Sequence, residues 1–351
     1  MAGFSSTSVN APRISETKDG QYSSGATLSY WLDSVERPTF KSLDKDETCD
    51  FLVVGAGIGE TGRTTAHLQI EIDDFYYVIE QMYGEKVSKL VCDSNKASVD
   101  FIENLSKKIP CDFERLDGYL IPGKEEHKTK VIDKELVAAG KAGMDVELID
   151  SKDKLPHYPL VYPTPHWLKF KNQGMFHPLK YLCGMAQLMS EMPNVTIYTN
   201  THVDDIVDDE KKGTYAGTRN HHRINCKKMV LVAFEVEKGV IERALYWDTH
   251  DIYNYHRLAV DDKSPNGKTE LLIVGGKDHL TGDQMHKEDY EKLYAELETM
   301  ARKMFPCGPV RYRWIFSDFF QFTVICLGNG NSVALGNSAE SALFVQNKNQ
   351  T

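Results

Sequence analysis

Residues 51–67 read FLVVGAGIGETGRTTAH, an apolar run that stops at glycines. This stretch constrains the fold more than any other. A buried strand must end there in a turn that lets the backbone come close to a ligand or to another segment. Two phosphate-cradling loops fit part of it. The dinucleotide fingerprint G-x-G-x-x-G takes Gly55 and Gly57, but its third position is Glu60, with Gly59 one place early. The phosphate loop G-x-x-x-x-G-K-[ST] takes Gly57, Gly62 and Thr64, yet Arg63 stands where the lysine belongs. Lysine acts there as a compact point charge, and arginine's planar fork is no simple replacement. A plain glycine turn after a buried strand is the third reading, so the rest of the chain must decide.

At 351 residues the chain can bury a large core, and two domains are expected. Hydrophobic residues make up 41% and the formal net charge is −10, which argues against nucleic acid or an anionic membrane surface as a partner. No apolar run reaches the length that spans a bilayer. The start, MAGFSSTSVNAPRISETKDG, has no apolar centre, so it reads as a disordered tail rather than a secretory signal. Seven cysteines are scattered singly without a C-x-x-C pair, which fits reduced thiols in the cytoplasm and no structural metal. The His221–His222 pair sits in a polar stretch with no ligand partner nearby in sequence.

Periodicity places a buried parallel strand at 51–58 and a long helical stretch over 74–108, with one glycine, Gly84. CDFERLDGYLIPG (111–123) reads as an antiparallel strand pair. A helix near 128–143, the strand MDVELID and a helix over 176–192 with proline in its first turn come next. Strands are expected at 195–199, near 202–207, and at 229–236, 244–247, 253–258, 270–275 and 311–314, with a helix over 286–304. Past Ile315 no period is visible. One α/β nucleotide-type start joined to a mainly antiparallel α+β half is the fold class this order implies.

Several separated blocks resemble the FAD-dependent oxidoreductases of the glycine oxidase and D-amino-acid oxidase type, in the subgroup often fused to a C-terminal Rieske domain. SYWLDSVERPTF, DFLVVGAGI, TGRTTAHL, CDFERLDGYL, FHPLKYLCGMA, ALYWDT and LLIVGGKDHLTG carry the resemblance, in order, from about 29 to 314. It implies a truncated Rossmann-like FAD-binding domain with an antiparallel-sheet substrate domain. The implied division is a disordered tail (1–28), the first FAD-domain part (29–110), substrate domain (111–170), a return to the FAD domain (171–228), substrate domain again (229–314) and a divergent tail (315–351).

The resemblance also accounts for the defective loop. Relatives place a helix and an acid-ending strand between GAGI and TGRTTAH, whereas here the two phosphate-side segments are spliced almost directly together. A rival reading keeps the unit whole, with FYYVIE as the second strand and Glu80 on the ribose; the offset, 80 − 55 = 25, is near the expected spacing of about 20. The link after 229 and the flavin-covering segment after RYRW also depart from the family, and the C-x-H and C-x-x-H pairs of a Rieske domain are absent.

By resemblance, Gly55 and Gly57 would admit the pyrophosphate of FAD, Thr61, Gly62, Arg63, Thr64 and Thr65 would line the flavin side, and Val203 would meet the adenine. Tyr253, Tyr255, Arg257 and His279 lie in blocks that face the substrate in relatives, and each equally suits a strand with aromatic and basic residues on its exposed face. Arg257 is the favoured carboxylate binder, because its fork matches a carboxylate. The implied substrate is a small amine or amino acid, oxidised at its C–N bond by hydride transfer to the flavin. Such chemistry resides in the cofactor, and no catalytic acid–base pair is identifiable. A catalytically inactive relative is the alternative.

Overall fold

The computed structural model describes residues 27–45, 47, 51–54, 62–72, 74–156, 165–199, 201, 205–209, 213–217, 227–280, 286–318 and 343–346. Its strands are β1 (Phe51–Val54), β2 (His67–Leu68), β3 (Glu114–Ile121), β4 (Val146–Ile149), β5 (Trp167–Met175), β6 (Val195–Tyr198), β7 (Asp205–Asp209) and β8 (Gly213–Gly217). They continue with β9 (Lys227–Glu237), β10 (Leu245–Asp248), β11 (Tyr255–Val260), β12 (Thr269–Leu280), β13 (Val310–Asp318) and β14 (Leu343–Gln346). The helices are α1 (Tyr30–Ser34), α2 (Tyr76–Tyr83), α3 (Glu85–Ser106), α4 (Asp133–Ala142), α5 (Pro178–Ser190) and α6 (Lys287–Met304).

Alternation along β9 and β12 sends side chains to both faces of a nine-stranded sheet, ordered β13-β9-β12-β11-β10-β3-β5-β2, with β4 also on β5. Every pairing in it is antiparallel except β3 with β10, which runs Gly118↔Leu245 to Ile121↔Asp248. That parallel seam fuses the two separated substrate segments into one sheet. Leu231, Ala233, Tyr255, Ala259, Leu271 and Ile273 face one core with Tyr30, Trp31 and Ala66. Val230, Val232, Phe234, Leu258, Leu272 and Val274 face the other, beneath Tyr290, Tyr294 and Leu297 of α6. Both faces are therefore covered, which is why these strands read as nearly continuous apolar runs.

Local chemistry sets the elements around the sheet. The helical stretch over 74–108 is two helices, broken where Gly84 adopts φ +85°. Helix α2 starts on Glu135 of α4, whose carboxylate accepts the N–H groups of Tyr76 (3.0 Å) and Tyr77 (3.1 Å). Burial pushes the Glu135 pKa up to about 7 against the pull of those two donors. Helix α5 begins on His177, whose Nδ1 accepts from Lys180 N at 3.2 Å.

Several expectations change. The 111–123 stretch is one strand rather than a strand pair, because Gly118 is packed against Trp247 inside the sheet instead of turning. Strand β1 does not lie in a parallel sheet. It pairs antiparallel with β14, which in turn pairs antiparallel with β6. Strand β13 runs on to Asp318, and β14 joins the strand of the nucleotide-side start, so residues past Ile315 do contribute to this small sheet. The division at 170 falls within β5, and β2, from the first segment, hydrogen-bonds the substrate sheet at Met175 and Gly174. FYYVIE is the start of α2, so Glu80 ends no strand; it pairs with Lys141 at 2.7 Å.

One close approach holds the sheet's centre in register. A Cβ added at Gly275 would lie 2.2 Å from Cε2 of Tyr255, its cross-strand partner. Gly275→Ala is expected to destabilise the protein by about 1–3 kcal/mol through overpacking. Chemical denaturation of the two proteins measures this, and equal midpoints would contradict it.

Candidate functional site

Strand β11 presents Tyr255, Arg257 and Ala259 to the face covered by α1 and residues 62–68, and its other face carries His256 and Leu258. Arg257 is 2% exposed. Its Nη1 donates to Ala66 O at 2.7 Å and its Nη2 to Phe176 O at 3.0 Å, while the guanidinium lies 5.1 Å from the centre of the Trp31 ring. Nε has no hydrogen-bond partner among the described residues. Burial, and then the nearby Arg243 guanidinium, lower the Arg257 pKa to about 9, which leaves it a cation at neutral pH.

The loop beneath is fixed by three further donors. Ser29 Oγ donates to Gly62 O, Trp314 Nε1 to Arg63 O at 2.5 Å, and Trp31 Nε1 to Thr64 O at 2.6 Å. Arg63 Nε donates to Thr27 O at 3.3 Å. Thr64 Oγ1 accepts from Ala66 N at 3.1 Å, and Ala66 itself sits at φ +61°. A left-handed alanine costs about 1–2 kcal/mol, and the charge-assisted bond from Arg257 offsets it. Thr65 lies partly buried within the same loop. These carbonyls therefore point at side chains of the protein itself.

The structure brings some expected residues together and separates others. Gly62, Arg63, Thr64 and Thr65 share one loop, docked on the face that carries Tyr255 and Arg257. Gly55, Gly57, Thr61 and Val203 lie outside the described residues. Tyr255 is a core residue, its hydroxyl 2.8 Å from Met229 Sδ, with the Tyr253 ring 5.4 Å away. His279 is on the opposite side of the sheet. A register shift between Gly276 and His279 turns it against Tyr290 of α6, ring centres 5.6 Å apart.

Sequence reasoning missed the aromatic cover. Tyr30 and Trp31 are buried, Tyr30 Oη donates to Val260 O at 2.6 Å, and His177 stands 4.8 Å from Trp31, its Nε2 2.9 Å from Ser34 Oγ. His67 adds a second buried imidazole, edge-on to Tyr255 at 6.0 Å. Burial, and next the Arg257 charge, hold His67 well below its ordinary pKa, so it is neutral. The density of aromatics in SYWLDS was a visible signal of a covering segment.

The described flavin side has no room for the isoalloxazine of FAD. The cavity left beside Tyr30, Trp31, His177 and Arg257 is about 10 Å3, room for one water rather than an isoalloxazine. Glu80, the alternative ribose acid, is held by Lys141 at 2.7 Å. No step through the cofactor is derived from this geometry.

Residues 53–318 match the family described as FAD dependent oxidoreductase, three quarters of the chain, and the chain belongs to that family. Its fold, a nine-stranded mixed sheet with a small nucleotide-side sheet, is that of flavoenzymes. The protein YhfW of Bacillus subtilis (strain 168), named as a Rieske 2Fe-2S iron-sulfur protein, is 24% identical over 340 residues, covering 84% of this chain and 64% of that protein. This chain thus spans less than two thirds of the relative's length. L-α-glycerophosphate oxidase of Mycoplasma pneumoniae, solved with FAD bound, matches at a TM-score of 0.52 and 10% identity over 78% of each chain. That likeness is one of fold. Glycine oxidase of Geobacillus kaustophilus has a TM-score of 0.49 at 12% identity, over 72% of this chain and 71% of that one.

Two measurements test the clamp and the buried imidazoles. Arg257→Lys removes the two-pronged contact, and a loss of about 3 kcal/mol or more is expected from two charge-assisted bonds; unchanged urea denaturation would refute the clamp. For pH, burial lowers His177 to about 4 and His256 to about 3, while Glu135 rises to about 7. Both histidines cost stability as pH falls below the ordinary histidine range, because only the unfolded chain takes up their protons. Glu135 acts oppositely, losing stability as pH rises from its ordinary value through about 7. With His67, which burial also holds well below its ordinary value, three histidines against one carboxyl leave a net fall of about 2–3 kcal/mol per unit on acidification near pH 5, steeper by about 1 in Glu135→Gln. Stability that rises on acidification there would contradict the assignment.

Proposed function

We propose that the chain carries the substrate half of a flavin-dependent oxidase or dehydrogenase acting on the C–N bond of a small amine or amino acid. The in-order resemblance of its blocks to the glycine oxidase and D-amino-acid oxidase type supports this substrate class. The observation that carries the reading is that the blocks CDFERLDGYL, ALYWDT and LLIVGGKDHLTG supply β3, β10 and β12 of one sheet, with the loop of TGRTTAHL docked on it through Arg257. The fold by itself hosts other chemistries, so the substrate class rests on the sequence blocks. A cytoplasmic setting is in keeping with the free Cys92, Cys111, Cys183 and Cys307. No helix among the described residues is long and apolar enough to cross a membrane.

A second reading, a catalytically silent relative, is favoured by the closed cavity of about 10 Å3 and by the engagement of Arg257 with backbone carbonyls. On that reading Arg257 positions the loop and does not bind a substrate carboxylate. A lost ribose acid and a lost pyrophosphate helix, at about 1.5–3 kcal/mol for each contact to a charged group, weaken FAD by at least about a hundredfold. The purified chain is expected to lose its flavin band on gel filtration. Calorimetric titration with FAD, followed by anaerobic addition of amino acids and amines, separates the readings. Stoichiometric flavin bleached by one of them supports the enzyme; a colourless protein that ignores FAD leaves the silent relative.

A further inference from the structure

Across the sheet from Arg257, α6 stands away from the β10–β11 loop and the end of β12, leaving an open groove of about 890 Å3. That is within the size range of small-molecule sites. The helix wall is Lys292, Ala295, Glu296, Thr299, Met300 and Lys303. Their spacing of three and four residues puts them on one helical face, and the eleven helical steps from Lys292 to Lys303 extend it for about 16 Å. The facing wall holds His250, Ile252, Asn254 and Lys277.

Two physical properties stand out. The first is charge. Lys277 is paired with Glu296 at 3.1 Å, but Lys292 and Lys303 have no carboxylate partner among the described residues. In a chain of net charge −10, this groove has three lysines and a histidine against one carboxylate. The second is preorganisation. Asp248, 3% exposed, accepts from the N–H groups of His250 (3.0 Å) and Asn254 (3.2 Å) and from Asn254 Nδ2 (2.9 Å). His250 Nδ1 lies 3.0 Å from the same carboxylate, so the loop and its imidazole are held in place before any ligand arrives. Among these polar groups the walls carry apolar side chains, Ile252, 53% exposed, on one side and Ala295 and Met300 on the other. Methionine there adapts to irregular aliphatic partners.

We propose that this groove binds an amphipathic carboxylate, its aliphatic chain along Ile252, Ala295 and Met300 and its head taken by the free ammonium groups of α6. A cation is excluded by the lysines, and a small hydrophilic anion leaves these apolar side chains in water. The site is separate from the loop clamped by Arg257 and stands whether or not FAD binds.

Calorimetric titration of the full chain with dodecanoate, kept below its aggregation concentration, tests this. One molecule is expected to bind with a Kd of about 10–100 μM. Acetate, which lacks the tail, and dodecylammonium, which inverts the head, should not bind. The paired change Lys292→Glu and Lys303→Glu should weaken dodecanoate roughly tenfold or more, and Ile252→Ser should weaken it from the other wall. All three positions are exposed, and thermal melts verify that the variants fold. Absent binding, equal binding of dodecylammonium, or affinity unchanged in both variants would overturn the proposal.

Discussion

A guanidinium withdrawn from water must be solvated by something else, and much of this structure is arranged around that requirement at Arg257. Its alternation on β11 drives the side chain inward, where no carboxylate among the described residues answers it directly. Two backbone carbonyls and an indole face replace the lost water. Those carbonyls belong to Ala66 and Phe176, on segments more than a hundred residues apart, and the indole belongs to α1. One cation thus ties together the N-terminal block, the loop from the defective glycine motif, the start of α5 and the central sheet. It also gives a reason for the left-handed Ala66, since the turn that strains the alanine is the turn that aims its carbonyl.

The parts of the fold that were legible in sequence are those where periodicity and burial agree. Strands β9 to β12 and helices α5 and α6 were readable because each buries a continuous face against a layer that covers it. Helix breaks were less readable: Gly84 looked tolerable in a long amphipathic stretch, yet its positive φ splits the helix. Long-range pairing was invisible. Nothing local to LFVQ at 343–346 announces a strand between β1 and β6, and nothing near Gly118 announces a parallel seam with Leu245.

The candidate site was legible as a set of blocks, while the partners of its side chains were not. Tyr255, Arg257 and the 62–65 loop do meet on one face. Sequence suggested that arginine's fork would meet a ligand carboxylate, because its geometry matches one. The aromatic block at 29–34 changes that outcome, since Tyr30 and Trp31 seal the face and turn the fork toward backbone. His279 was misplaced for a different reason. A bulge between Gly276 and His279 shifts the register, and a resemblance read block by block does not show which face a side chain takes beyond it.

The two faces of the sheet consequently differ in what they can do. The Arg257 face is filled by the chain's own side chains, so any ligand there must first displace aromatic packing, and each buried ring removed from its neighbours costs about 2–3 kcal/mol. The α6 face keeps its groove because α6 anchors through Tyr290, Tyr294, Leu297 and Ala301, leaving the next helical face over to meet the β10–β11 loop and the end of β12. Helical geometry makes that division unavoidable: a helix that buries one stripe in a sheet must present an adjacent stripe to the loops at the sheet's end. Where those loops carry a carboxylate-braced histidine and the stripe carries unpaired lysines, the space between them is cationic, whatever has happened to the flavin side.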